Sequence, residues 1–84
     1  MEWDVIDVKV EKHLVLRVSF QDGMKGHVYL KPSHLWGVFE PLKKPEFFNK
    51  VFIDHGVVTW PGELDLAPDA MHKAIKKHGE WILQ

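Results

Sequence analysis

The stretch HLVLRVSFQDGMKGHVYL, residues 13–30, decides the fold of this chain. Within residues 13–20 every second position holds a large apolar side chain, which is the period of a half-buried strand. These side chains are Leu14, Leu16, Val18 and Phe20. Asp22-Gly23 follows, the strongest short hairpin signal, for which we expect a two-residue turn with positive φ at both positions. Residues 26–30 then supply the returning strand.

Upstream of this hairpin, residues 3–10 show the same alternation. Their apolar side chains on the predicted buried face are Ile6, Val8 and Val10. The first part of the chain is therefore predicted to be a three-stranded antiparallel meander. Lys31-Pro32 ends the meander, because proline has no N–H to donate to a neighbouring strand.

A second, shorter hairpin is predicted in the middle of the chain. Residues 51–54 and 57–60 are rich in β-branched and aromatic side chains and flank a His55-Gly56 turn. A Pro-Gly pair at residues 61–62 is predicted to end it.

The segment between the two hairpins contains two predicted helical turns. Ser33 is expected to cap the first, and residues 45–49 to form the second, with proline at its first position.

One regular helix is predicted near the end of the sequence, beginning at Pro68. Apolar or part-apolar side chains recur at three- and four-residue spacing and predict a buried stripe. These residues are Met71, Ala74, Ile75, His78 and Ile82. Gly79 is a candidate helix end, after which Trp81 and Ile82 would dock as a tail. Strands followed by a helix predict an α+β fold, a single domain over residues 1–84 with the helix packed on the sheet.

Composition limits the function classes. With 84 residues the core is small, so dimerisation would add useful buried area, and a homodimer is one expectation. The absence of cysteine excludes disulfides and thiol chemistry. No signal-peptide pattern and no apolar run of about 20 residues is present, so we expect a cytoplasmic protein with no membrane segment. The net charge of −1 gives no general attraction for nucleic acid.

The residue patterns indicate no catalytic group, cofactor or metal. The six histidines form no His-Glu-x-x-His unit, and His72 and His78 are six residues apart on the predicted helix. No serine lies in a Gly-x-Ser-x-Gly turn. The tightest acidic cluster is Asp65 and Asp69, with Glu63 nearby. Together with His72, these carboxylates could serve as acid and base or hold a hard cation, but we favour helix capping.

Two surfaces remain as alternatives. Lys73, Lys76 and Lys77 could form a nucleic-acid-binding face, but a solvated helix surface is the favoured interpretation and nucleic acid is not the expected partner. The aromatic side chains of the middle segment are expected in the core, whereas joint exposure would mark a protein-interaction patch. They are Trp36, Phe39, Phe47, Phe48 and Trp60.

Three stretches carry a family resemblance: VSFQDG at residues 18–23, GVFEPL at 37–42, and TWPGELDLAPD at 59–69. On these the chain resembles the bacterial domain-of-unknown-function 2442 family along nearly its whole length. Ala70-Met71-His72 stands where a leucine–tyrosine pair is usual, and an asparagine after Pro61 is missing. The shared motif makes Trp60, Pro61, Asp65, Pro68 and Asp69 candidate positions, beside the aromatic candidates Trp36 and Phe39.

The resemblance implies a small α+β protein and brings no catalytic residues. Some family members lie beside genes suggestive of toxin–antitoxin pairs. The leading hypothesis is therefore a non-enzymatic protein-interaction or regulatory module with an unidentified protein partner, of antitoxin-like character. The first alternative is a small ligand-binding domain or enzyme that uses Asp65, Asp69 and His72. The second is nucleic-acid binding through residues 73–77.

Overall fold

The computed structural model describes residues 2–84 and shows the expected α+β fold. The described part of the chain forms seven strands in two sheets, two α-helices and two 3₁₀ segments. The strands are β1 (Val5–Lys12), β2 (Val15–Phe20), β3 (Lys25–Leu30), β4 (Phe52–Asp54), β5 (Val57–Trp60), β6 (Leu64–Leu66) and β7 (Glu80–Leu83). The α-helices are α1 (Pro45–Phe48) and α2 (Pro68–His78).

The predicted meander is confirmed as the first three strands of a four-stranded sheet, in the order β1-β2-β3-β7. Its predicted hairpin is also confirmed, but the turn differs from the expected one. Gly23 has a φ of 91° and Asp22 a negative φ, while the Phe20 N–H donates to the Met24 carbonyl at 2.8 Å. This is a three-residue loop with glycine in the left-handed position. The Asp22 side chain accepts the Met24 N–H at 3.0 Å, which stabilises the loop.

The inward face of β1 is only partly as predicted. Ile6 was expected in the core, but 61% of it is exposed. The cause is an irregularity in the pairing of β1 with β2, which falls between Val5 and Asp7. A bulge of this kind breaks the alternation of faces, so Val5 is buried and Ile6 turns outwards.

The second hairpin is confirmed as β4 and β5, with positive φ at both His55 and Gly56. Pro61 and Gly62 end the hairpin as predicted, because β5 stops at Trp60, but the sheet has a third strand that was not predicted. A further tight turn, in which Gly62 and Glu63 both have positive φ, returns the chain as β6. The three strands form a separate sheet in the order β4-β5-β6.

Helix α2 begins at Pro68 as predicted and ends where Gly79 adopts a φ of 81°. Its buried stripe consists of Met71 and Ile75, whereas His78 is exposed, contrary to the prediction. The predicted tail is a strand: β7 pairs in parallel with β3, so Ile82 belongs to the sheet and not to the helical stripe. The helix packs against β3 and β7, on the sheet as expected.

Gly26 makes this close packing of α2 on the sheet possible. A Cβ atom at this position would lie 2.5 Å from Cγ2 of Ile75 and 3.0 Å from the carbonyl oxygen of Gly79. Only a residue without a side chain therefore lets the helix come this close to β3.

The segment between the sheets is more regular than the sequence indicates. A 3₁₀ turn covers Pro32–His34 and a longer 3₁₀ segment covers Gly37–Lys43. Ser33 lies inside the first turn and does not cap it, because Lys31 occupies the N-cap position. Helix α1 forms with Pro45 in its first turn, as expected.

One hydrophobic core connects the two sheets and α2. Its largest fully buried side chains are Trp60, Phe20, Phe48, Leu16, Leu35, Leu42 and Met71. No helix formed by residues 2–84 has both the length and the apolar character that crossing a bilayer requires.

Candidate functional site

The structure separates the aromatic candidates into exposed and buried ones. Trp36 is 73% exposed and its neighbour Val38 is 69% exposed. Phe39 is half-buried against the core. Trp60, in contrast, is fully buried, as are Leu42 and the ring of Phe48 beside it. The expectation that aromatic residues fill the core therefore holds for Trp60 but not for Trp36.

The local backbone explains why Trp36 is exposed. The Leu35 N–H donates to the Pro32 carbonyl at 3.0 Å, and the Leu35 side chain is buried in the core. Trp36 then adopts an extended conformation and Gly37 a φ of 61°, so the chain turns away directly after the tryptophan. With Leu35 anchored inwards, Trp36 and Val38 are displayed on the outside.

We call residues 34–39 the Trp36 loop. A shallow apolar hollow of about 320 Å³ lies on it, lined by His34, Trp36, Gly37, Val38 and Phe39. The rings of His34 and Phe39 are in contact, with centroids 5.3 Å apart, which holds the two sides of the loop together. The hollow is large enough for one apolar side chain of a partner.

A second hollow adjoins the Trp36 loop and shares Gly37 with it. Its lining includes Lys43, Lys44 and Glu40, with Pro41 and Phe47 as the apolar part. Among the described residues neither lysine forms an ion pair. The apolar hollow therefore lies next to two lysines and one glutamate, which together have an excess of one positive charge.

Trp60 has a structural role at the corner between β5 and β6. Its indole Nε1–H donates to the carbonyl oxygen of Phe48 at 2.8 Å, and the two rings pack with centroids 5.7 Å apart. Pro61 is exposed in the turn that follows. Pro68 occupies the first turn of α2, where its missing N–H costs nothing.

The predicted capping of α2 by Asp65 or Asp69 is not observed. Ala67 occupies the N-cap position and no side chain caps the helix. Asp65 instead lies in β6, paired with Thr59, and Asp69 lies in the exposed first turn of α2. There its charge complements the helix dipole without a hydrogen bond to the free N–H groups.

His72 bonds to a carboxylate that sequence reasoning did not pair with it. Its Nε2 lies 2.8 Å from Oδ2 of Asp22, and its ring packs edge-on against Phe20 with centroids 4.9 Å apart. The hydrogen bond from His72, with that from the Met24 N–H, holds the pKa of Asp22 below its usual value of 3.8. This contact ties the first hairpin to α2 across 50 residues, a separation that no local pattern can reveal.

The outer face of the three-stranded sheet forms another hollow, of about 640 Å³. Asp65 lines it together with Phe52, Asp54, Thr59 and Glu63, but neither Asp69 nor His72 does. The structure thus does not join the three residues of the predicted acid–base or ligand site into one pocket. Within residues 2–84 no three histidine, aspartate or glutamate side chains are grouped as metal ligands.

The basic face predicted on α2 is present as an exposed surface. Lys73, Lys76 and Lys77 are all solvent-accessible, the last two in the final turn of the helix. Positive charge there complements the negative end of the helix dipole, so Lys76 and Lys77 have a structural explanation.

Comparison with known proteins identifies a family but no function. No curated protein matches the chain, and no solved structure matches it. One family model matches residues 5–77, from the first residue of β1 almost to the end of α2. The match covers most of the 84 residues. The chain therefore belongs to the family described as Protein of unknown function (DUF2442).

Proposed function

We propose that this protein is a non-enzymatic protein-interaction or regulatory module that binds a partner protein through the Trp36 loop. One observation carries the proposal: Trp36 and Val38 are both more than two-thirds exposed on the same turn. Single exposed apolar residues are ordinary, but a tryptophan and a valine displayed beside an apolar hollow form a patch.

The energetics favour burial of this patch by another protein. A tryptophan side chain buries roughly 150–250 Å² in an interface, and each Å² of apolar surface removed from water contributes about 25 cal/mol. Tryptophan is also among the residues most enriched at the energetic centre of interfaces. Because the buried side chain of Leu35 already anchors the loop in the free protein, less ordering entropy opposes binding than for an unanchored segment.

The surroundings of the loop indicate the chemistry of the partner. An apolar side chain of the partner would enter the hollow beside Trp36, and acidic side chains would meet Lys43 and Lys44. An antitoxin-like role, in which the module binds and regulates a partner protein, is the specific form of this proposal that the family resemblance suggests.

The test is quantitative capture from the native host with the tagged wild-type protein, a Trp36→Ala variant and a Phe52→Ala control. Phe52 is also an exposed aromatic residue, 44% accessible, but lies on the outer face of the other sheet. A partner that is captured in a one-to-one ratio with the tagged protein is then purified. Its affinity for each of the three proteins is measured by titration calorimetry. We expect Trp36→Ala to lower the affinity about 30-fold, a loss of about 2 kcal/mol, and Phe52→Ala to leave it unchanged. Equal binding by both variants would contradict the proposal.

A second candidate function rests on the hollow beside Asp65. Its volume of about 640 Å³, the exposed Phe52 and three carboxylates suit a small cationic ligand. Chemical-shift mapping with a panel of cationic metabolites would test it. Shifts centred on Phe52 and Asp65 would support this candidate, and an unperturbed sheet would remove it.

A further inference from the structure

The two edges of the four-stranded sheet differ in how they are protected. Edge strand β1 has two pairing irregularities and four charged side chains: Asp7, Lys9, Glu11 and Lys12. The second sheet also covers its start, because the Val5 N–H donates to the carbonyl of Gly56 at 2.9 Å. Bulges, charged side chains and segments that cover the edge all prevent an edge strand from pairing with another chain.

Edge strand β7 has almost none of this protection. It reads Glu80-Trp81-Ile82-Leu83, with no lysine, no proline and no irregularity in its pairing with β3. Three consecutive large apolar residues therefore lie on an open edge, and Ile82 is 41% exposed. Strand β7 mainly contacts β3, which runs along one of its edges, and α2, which packs on one of its faces.

The backbone N–H and C=O groups of Ile82 point away from β3. The carbonyl of Leu83 accepts the Lys31 N–H at 2.8 Å, so the polar groups of Leu83 face β3. In a strand the peptide groups of successive residues point to opposite sides, and the N–H and C=O of Ile82 therefore face the open edge. Within residues 2–84 no strand pairs with this edge, so these groups can exchange hydrogen bonds with a strand of another chain.

We propose that β7 pairs antiparallel with β7 of a second copy of this chain, so that two four-stranded sheets join into one continuous sheet. A two-fold contact uses the same edge twice, and such isologous dimers are the commonest protein oligomers. The β7 edge and the Trp36 loop are different surfaces, and pairing through β7 does not require a partner at the Trp36 loop.

Charge and hydrophobicity select the alignment of the two strands. With Ile82 opposite Ile82 of the second copy, the two exchange their free N–H and C=O groups and cover each other's side chains. Trp81 then lies opposite Leu83 of the second copy, and Glu80 opposite Gln84. An alignment centred on Glu80 would instead place two carboxylates side by side, which is unfavourable.

Analytical ultracentrifugation from roughly 10 μM to roughly 1 mM protein tests this dimer. For wild type we expect the mass to rise from that of one 9.8 kDa chain towards that of two. Ile82→Lys should remain monomeric, because two ammonium groups would face each other across the axis. The matched control is Ile6→Lys, which makes the same change at an exposed isoleucine on the other edge strand, β1. This variant should dimerise like wild type.

Mixing separately monomeric Ile82→Lys and Ile82→Glu proteins tests the alignment, since opposite charges would meet at the axis and should restore the dimer. Amide exchange of wild-type Ile82 provides a readout without substitution, with protection expected to increase with protein concentration. A wild-type chain that stays monomeric at every concentration would overturn the proposal. So would dimerisation of Ile82→Lys, or loss of the dimer in Ile6→Lys alone.

Discussion

At the scale of single residues, the contact between Gly26 and Ile75 sets the distance between helix and sheet. The space that a methyl group at position 26 would need is already occupied by Cγ2 of Ile75. We expect Gly26→Ala to lower the free energy of unfolding by about 1–3 kcal/mol through overpacking, measured by urea denaturation. In an Ile75→Ala background the same change should cost much less. Equal costs in both backgrounds would show that steric overlap is not the cause.

A second residue-scale prediction concerns the hydrogen bond between Asp22 and His72. Because the folded-state pKa of Asp22 lies below its usual value, the ionised carboxylate stabilises the fold above pH 3.8, and this stabilisation is lost as the pH falls through the lowered value. The Asp22→Asn variant should therefore melt below wild type at pH 6, with the difference diminishing towards pH 2, as measured by thermal unfolding. A constant Asp22→Asn difference across this range would contradict the assignment.

At the scale of elements, the indole of Trp60 connects β5 to α1 through its bond to the Phe48 carbonyl. Replacement by phenylalanine keeps a ring but removes the donor and leaves unfilled volume, so we expect Trp60→Phe to cost about 1–3 kcal/mol in urea denaturation. Trp36→Phe makes the same chemical change on the exposed loop and should alter stability by less than about 0.5 kcal/mol. Similar costs at the two positions would contradict the separation into core and surface tryptophans.

At the scale of the whole molecule, one core spans both sheets although no strand pairing within residues 2–84 joins them. We therefore predict that the chain unfolds as one cooperative unit, as expected of a single domain. In a variant whose other three tryptophans are replaced by phenylalanine, fluorescence reports on Trp60 in the three-stranded sheet. Its urea midpoint should equal the midpoint that far-ultraviolet circular dichroism gives for the same variant. Two separated midpoints would show that the sheets unfold independently.

Local patterns predicted the elements whose pairing partners are near in sequence. The alternation around Leu16 and Val18, and the Asp22-Gly23 turn, sufficed for the meander because a hairpin is a local structure. Strand β6 was missed, since it has only three residues and follows a turn that requires a positive φ at Glu63. Strand β7 was predicted only as a docking tail, because its parallel partner lies about fifty residues earlier.

The sequence predicted which residues could form the candidate site, but not where in the fold they lie or which of them come together. Sequence patterns named both Trp36 and Trp60, and nothing local distinguishes an exposed tryptophan from a buried one. The packing of Leu35 and the hydrogen bond to Phe48 decide this difference. Likewise, the grouping of Asp65 with His72 followed their nearness in sequence, whereas the fold pairs His72 with Asp22.

The sequence by itself determined the α+β class, the first hairpins, the start of the helix and the family, because these depend on periodicity, turn chemistry and motifs within short segments. The tertiary structure alone decided which aromatic side chain is displayed, which carboxylate bonds to His72, and which sheet edge stays open. These features arise where distant segments exclude water from one another, and burial between distant segments is not encoded in any local pattern.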